Sequence, residues 1–118
     1  MNKKELGFSG EDKAYNFLLS NKIKILDRNY RFHKAGEIDL IGRDGEYLVF
    51  FEVKLRTGKS KGSASEAVTF SKQRQICKVA SYYMYEHKFK SDTPVRFDVI
   101  AIDGEEINWL KNAFDYVG

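Results

Sequence analysis

Three residue types that organise many small proteins are nearly missing from this 118-residue chain, which has one proline, one cysteine and two histidines. With Cys77 alone, no disulfide can close within the chain and no cysteine zinc cluster can form, so stability must come from packing. Cys77 reads as a small core hydrophobe. His33 and His87 are too few and too scattered for a histidine-based centre. No apolar run approaches the roughly 20 residues that span a bilayer, and the amino-terminal MNKKELGFSGED lacks the apolar core of a secretory signal. A cytoplasmic protein with no membrane partner is therefore expected, free of repeats and low-complexity segments.

What is present is ordinary for a globular protein: 42% hydrophobic and 31% charged residues, consistent with a single domain over 1–118. Lys and Arg number 20 against 17 Asp and Glu, for a net charge of +3, which permits a nucleic-acid partner without demanding one. The distribution says more than the total. Arg28, Arg31, His33 and Lys34 precede the stretch GEIDLIGRDGEYLVFFEVKLR (residues 36–56), and Arg56, Lys59 and Lys61 end or follow it.

Ser9 reads as an amino-terminal cap with Glu11 and Asp12 in the first turn, predicting a helix over 10–20. Glu11 lies three and seven residues before Ala14 and Leu18, on the apolar face of that helix. Residues 22–32 read as a strand with Ile23, Ile25 and Tyr30 inward, and Gly36 breaks the chain. Residues 37–41 and 47–55 read as two strands around Asp44-Gly45, a hairpin signal. A polar loop, 57–65, leads to a helix over 70–87 with Ile76, Val79, Ala80 and Tyr83 on one side and Arg74 and Lys78 on the other. Pro94 precedes a fourth strand, 95–102, in which Arg96 and Asp98 share a face and read as an ion pair. The tail, 105–118, is compatible with a strand or a helix. Tyr82, Tyr83 and Tyr85 read as packing residues. The order α-β-β-β-α-β predicts an α/β protein with a mixed central sheet flanked by helices.

Alternation puts Glu52 and Lys54 on one face of their strand and Phe51, Val53 and Leu55 on the other. With Asp44-Gly45 as the two turn residues, Asp39 falls opposite Phe50 and Glu37 opposite Glu52, so three carboxylates gather on one face. Their mutual repulsion raises their pKa values unless a cation intervenes. Mg²⁺ or Mn²⁺ is the simplest such cation: Mg²⁺ takes oxygen ligands, keeps several waters and is held by one or two carboxylates plus phosphate oxygens. Asp39 and Glu52 fit as ligands, and Lys54 as the group that holds the attacking water and neutralises charge on a phosphate. Glu37 reads equally as a further ligand or as an ordinary charge at a strand start. Lys72, on the apolar side of the second helix at its amino-terminal end, reads as reaching toward this site, and Arg56, Lys59 and Lys61 as candidate phosphate contacts.

Asp39, a spacer, then Glu52-Val53-Lys54 resembles the nuclease motif of restriction endonucleases and archaeal Holliday-junction resolvases, with Ile38 where a proline often stands. The wider pattern of GEDKAYNFL, NYR before GEIDLI, VFFEVKLR, EAV before a lysine-containing helix, and RFDVIAI resembles the bacterial YraN-like family of small endonuclease-fold proteins over most of the chain. The resemblance implies a restriction-endonuclease-like core, with Asp39 and Glu52 as metal ligands and Lys54 as catalytic lysine. It also implies an acidic residue from the first helix, matched here by Glu11. The expected activity is metal-dependent hydrolysis of phosphodiester bonds in structured or branched DNA, with a homodimer as a way to address two strands. The alternatives are a non-catalytic nucleic-acid-binding module on the same fold, or a protein-interaction domain whose carboxylates are structural.

Overall fold

A computed structural model of the chain describes residues 3–56 and 68–117, with side chains described from Gly10 and as far as Leu55 in the first segment. The elements are α1 (Lys3–Ser20), β1 (Lys24–Phe32), β2 (Gly36–Asp44), β3 (Tyr47–Arg56), α2 (Phe70–Glu86), β4 (Val95–Asp103) and β5 (Glu106–Phe114). The five strands form one sheet in sequence order, antiparallel at every pairing except the parallel β3–β4 pair that α2 connects. The expected mixed sheet with helices is therefore present, and the tail, compatible from sequence with a strand or a helix, adds the fifth strand. No helix among the described residues is long and apolar enough to cross a membrane.

The two helices cover opposite faces of the sheet because the strands alternate. On one face Ile41, Leu48, Phe50, Phe97 and Val99 pack with Ile76, Val79, Ala80 and Tyr83 of α2, and Cys77 is buried among them. On the other, Leu40, Val49, Phe51, Ile100 and Ile102 pack with Ala14 and Leu18 of α1. Thr69 caps α2, its side chain accepting from the Lys72 amide at 3.1 Å.

Four details depart from expectation, each for a local reason. Helix α1 begins at Lys3, not after Ser9, so Ser9-Gly10 is helix interior. Gly10 serves close packing instead of a start signal: a Cβ there would meet Leu55 Cδ2 at 2.5 Å. Leu55, expected in the core, is 57% exposed at the end of β3. The β2–β3 turn is Gly45-Glu46, with Asp44 paired to Tyr47 and Gly45 at φ +60°, because a primed turn needs positive φ at its first central position. The same turn recurs at Gly104-Glu105 between β4 and β5, with Asp103 paired to Glu106 and Gly104 at φ +63°.

Candidate active site

The corrected turn slides the hairpin by two residues relative to the expected register. Leu40 pairs with Phe51 and Ile41 with Phe50, which brings Asp39 level with Glu52 and leaves Glu37 beyond it. An even shift preserves the alternation of β3, so Glu52 stays opposite Phe51 and Val53. In β2 alternation breaks at Asp39, where Ile38 packs on the α2 side and Leu40 on the α1 side instead of sharing a face as expected. Glu37 instead pairs with Arg31 on β1.

The geometry that matters begins where this ladder stops. The β2–β3 pairing runs only as far as Leu40–Phe51, yet β2 stays paired to β1 down to Gly36 and β3 stays paired to β4 up to Arg56–Asp103. The two central strands therefore part company at Asp39 and Glu52 and make a fork. Asp39 Oδ2 accepts the Val53 amide at 2.8 Å, so a side chain substitutes for the missing strand partner. That bond fixes the Asp39 carboxylate at the mouth of the fork.

Glu52 is 7% exposed there, an acid buried beside another acid. Burial first, then the charge of Asp39 and a hydrogen bond shared with it, push the Glu52 carboxyl up to about 7, against the opposing pull of Lys72 and Lys54. Lys72 Nζ lies 3.9 Å from Glu52 Oε2, reaching across from the first turn of α2. Lys54, half-buried, shares the Glu52 face by alternation.

Glu11 approaches from α1. Its carboxyl is raised by burial, by Asp39 and by Glu37, while an Asn29 hydrogen bond and the Arg28 charge pull the other way. Asp39 is thus the charge that both Glu11 and Glu52 feel. Asn29 was not anticipated. It falls between the Arg28–Leu40 and Tyr30–Ile38 pairs with φ +52°, a conformation asparagine tolerates better than most residues. Its only signal in the sequence is that tolerance. Arg28 is engaged elsewhere, donating to Asp12 at 3.0 Å and lying over the Tyr15 ring.

Of the residues singled out from the sequence, Asp39, Glu52, Lys54, Lys72 and Glu11 converge on the fork and Glu37 lies at its outer side. The side chain of Arg56, and Lys59 and Lys61 entirely, lie outside the described residues. Among the described residues no three His, Cys, Asp or Glu side chains form a closed metal cage. Two facing carboxylates with an open side are the donor set that Mg²⁺ accepts when waters and phosphate oxygens complete its shell. The raised Glu52 carboxyl marks the burial and the Asp39 repulsion that such a cation would offset.

The second buried acid, Asp98, is fully enclosed. The expected Arg96–Asp98 pair is present as two bonds of 2.9 and 2.8 Å, and Asp98 also accepts from Trp109 Nε1 at 2.8 Å and the Asn112 amide at 2.9 Å. Arg96 reaches on to Asp44 at 2.8 Å. This cluster ties β4 to β5 and to the β2–β3 turn, and it is complete without any ligand.

Comparison with known proteins adds the lineage. The chain is 48% identical over 118 residues to a UPF0102 protein of Lachnoclostridium phytofermentans, covering all of this chain and 99% of that one. It is 44% identical over 120 residues to a UPF0102 protein of Caldicellulosiruptor saccharolyticus, covering 97% of this chain and all of that one. A UPF0102 protein of Legionella pneumophila strain Corby is 43% identical over 113 residues, or 94% of this chain and 95% of that one. Residues 10–102 match the family described as Uncharacterised protein family UPF0102, and the chain belongs to that family.

Proposed function

We propose that this protein is a Mg²⁺- or Mn²⁺-dependent nuclease that hydrolyses phosphodiester bonds in DNA, on a core of the restriction-endonuclease type. The observation that carries the reading is the fork, where Asp39 and Glu52 face each other beside Lys54 and Lys72 at the point where β2 leaves β3. Asp39 and Glu52 hold the cation, and Glu11 orients water on the α1 side. A bound cation would supply Lewis-acid stabilisation of the phosphoryl oxygens. Lys54 donates hydrogen bonds to the attacking water and to a non-bridging oxygen as negative charge builds on the phosphate. The water oxygen forms the new bond to phosphorus, the bridging bond to the sugar oxygen breaks, and solvent water takes the proton that the nucleophile loses and protonates the leaving oxygen. Burial supports this role, since an ammonium in a partly desolvated fork stabilises charge more than one in bulk water.

The test is a panel of single-stranded, linear duplex, flap and four-way-junction DNAs with Mg²⁺, Mn²⁺ or chelator, using wild type, Lys54→Ala and Asp39→Ala. Cleavage should require a divalent cation and fall at least about 100-fold in either variant. Metal-dependent cutting that persists undiminished in both variants sinks the proposal. Salt-sensitive binding without turnover under any divalent cation replaces it with a non-catalytic binding module.

A further inference from the structure

Outside the fork, a groove of about 690 Å³ runs along the outer side of α2. Among the described residues its charged lining is of one sign: Lys34 from the β1–β2 turn and Arg74 and Lys78 from α2, with no carboxylate. Among the described residues none of these three cations is ion-paired, and all three are exposed. Aromatic rings line the same groove. Phe70 is 62% exposed and Tyr116 58% exposed, both far above what a packing role requires, and Tyr82 lines the groove while stacked on Phe32 with centroids 3.8 Å apart.

The spacing is ordered. Ser71, Arg74, Lys78 and Tyr82 recur at three- and four-residue intervals, which lines them up on one stripe of α2 with about 6 Å of rise between Arg74 and Lys78. The stripe starts beside the fork. Lys72 of the same first turn reaches Glu52, and Gln75 packs so closely on Gly36, at the start of β2, that a Cβ there would meet its Nε2 at 2.6 Å. Asp39 and Glu52 themselves are not in the groove lining, so the groove leads away from the fork along the helix.

Repeated cations recognise a phosphodiester backbone, and rings beside them recognise bases only when those bases are unstacked. A duplex keeps its bases stacked inward and leaves the rings without partners. We propose that the α2 groove binds a single-stranded polynucleotide, with Lys34, Arg74 and Lys78 on successive phosphates and Phe70, Tyr82 and Tyr116 against its bases. The inference rests on the nuclease reading for its direction, since the groove then holds the unpaired strand of a substrate that also carries a junction or flap.

The experiment separates this inference from that reading by measuring binding without metal. Fluorescence anisotropy in chelator would follow labelled oligo-dT and oligo-rU of roughly 16 nucleotides and a duplex of the same length. The proteins are wild type, Asp39→Asn, the double variant Arg74→Glu with Lys78→Glu, and Phe70→Ala with Tyr116→Ala. The single strands should bind tighter than the duplex, and the oligo-dT and oligo-rU arms identify which backbone is preferred. The charge-reversed variant should lose at least about tenfold, with the salt slope shallower by about 1.4 for two lost phosphates. The ring variant should lose on the order of tenfold or more. Asp39→Asn should bind as wild type while losing cleavage.

Single-strand binding within about twofold of wild type in the charge-reversed protein overturns the proposal and leaves the fork untouched. So does equal affinity for duplex, or displacement by polyglutamate as efficient as by oligo-dT. Arg74 and Lys78 are exposed, so an unchanged thermal midpoint is expected, and Arg74→Ala with Lys78→Ala provides the same reading with a milder change.

Discussion

Two acids sit buried in the same sheet and are treated in opposite ways. Asp98 accepts four hydrogen bonds and faces a guanidinium that is itself shared with Asp44, so its charge is met entirely by this chain. Glu52 faces Asp39, with Lys72 only at the edge of ion-pair range, and its carboxyl rises to about 7. Both acids stand where a strand ladder is irregular. The β4–β5 register shifts between Phe97 and Val99, and Asp98 takes the Asn112 amide there, while Asp39 takes the Val53 amide where β2 and β3 diverge. A carboxylate that completes a ladder needs no further function. A second carboxylate buried against it, which Lys72 and Lys54 offset only in part, is a local conflict of the kind that proteins retain at working sites.

The comparison breaks first at Asp98. Asp98→Ala leaves the Trp109 N–H and the Asn112 amide without their acceptor and takes from Arg96 one of its two carboxylate partners, and should cost about 3–5 kcal/mol in urea or guanidinium unfolding. A loss below about 1 kcal/mol would mean that the cluster is not structural.

Glu52 should behave in the opposite sense. Its folded carboxyl is raised from the ordinary 4.5 to about 7, so the folded protein binds this proton more tightly than the unfolded chain does. Without a cation, stability should therefore fall as pH rises from about 4.5 through about 7, and Glu52→Gln should remove that fall. At pH 8 the variant should be more stable than wild type by on the order of 3 kcal/mol, with the difference closing below pH 4.5. Equal pH profiles for the two proteins would remove the conflict at the fork.

These contrasts were only partly legible in the sequence. Alternation alone separates Glu52 and Lys54 from Phe51 and Val53, and it holds because the face of a strand residue depends on parity. The expected register is off by two because Asp44-Gly45 carries the hairpin signal while the chain turns on Gly45-Glu46; parity holds along β3 but breaks in β2 at Asp39, between Ile38 and Leu40. The fork itself has no local signature, since it depends on β2 staying with β1 while β3 stays with β4. The Arg96–Asp98 pair was readable at a spacing of two, whereas Asp44, Trp109 and Asn112 come from distant strands. The tail carries a further signal: Asp103-Gly104-Glu105 repeats Asp44-Gly45-Glu46, and it marks the hairpin that makes the tail a strand.

A cation should sharpen the contrast further. Mg²⁺ or Mn²⁺ binds an ionised pair better than a protonated one, so the thermal stabilisation it gives should grow between pH 6 and pH 8, across the Glu52 transition near 7. Asp39→Asn and Glu52→Gln should abolish the response, whereas variants at Asp98 that still fold should keep it. A pH-independent response retained in Asp39→Asn would mean that the cation binds elsewhere.

The smallest effect separates two lysines at nearly the same distance from a carboxylate. Lys111 lies 3.8 Å from Asp44 and is 55% exposed, so Lys111→Met should change stability by less than about 0.5 kcal/mol. Lys72 lies 3.9 Å from Glu52, whose side chain is nearly buried, and it already pulls the Glu52 carboxyl down. Lys72→Met should leave global stability near pH 5 almost unchanged, because Glu52 is then mostly protonated and has little charge for the lysine to meet. Its effect should appear instead as a shift of the stability and cation-binding transitions upward by up to about one pH unit. Equal and small responses from the two lysines at every pH would show that the fork is as well solvated as the surface, and the electrostatic case for a cation there would fall with it.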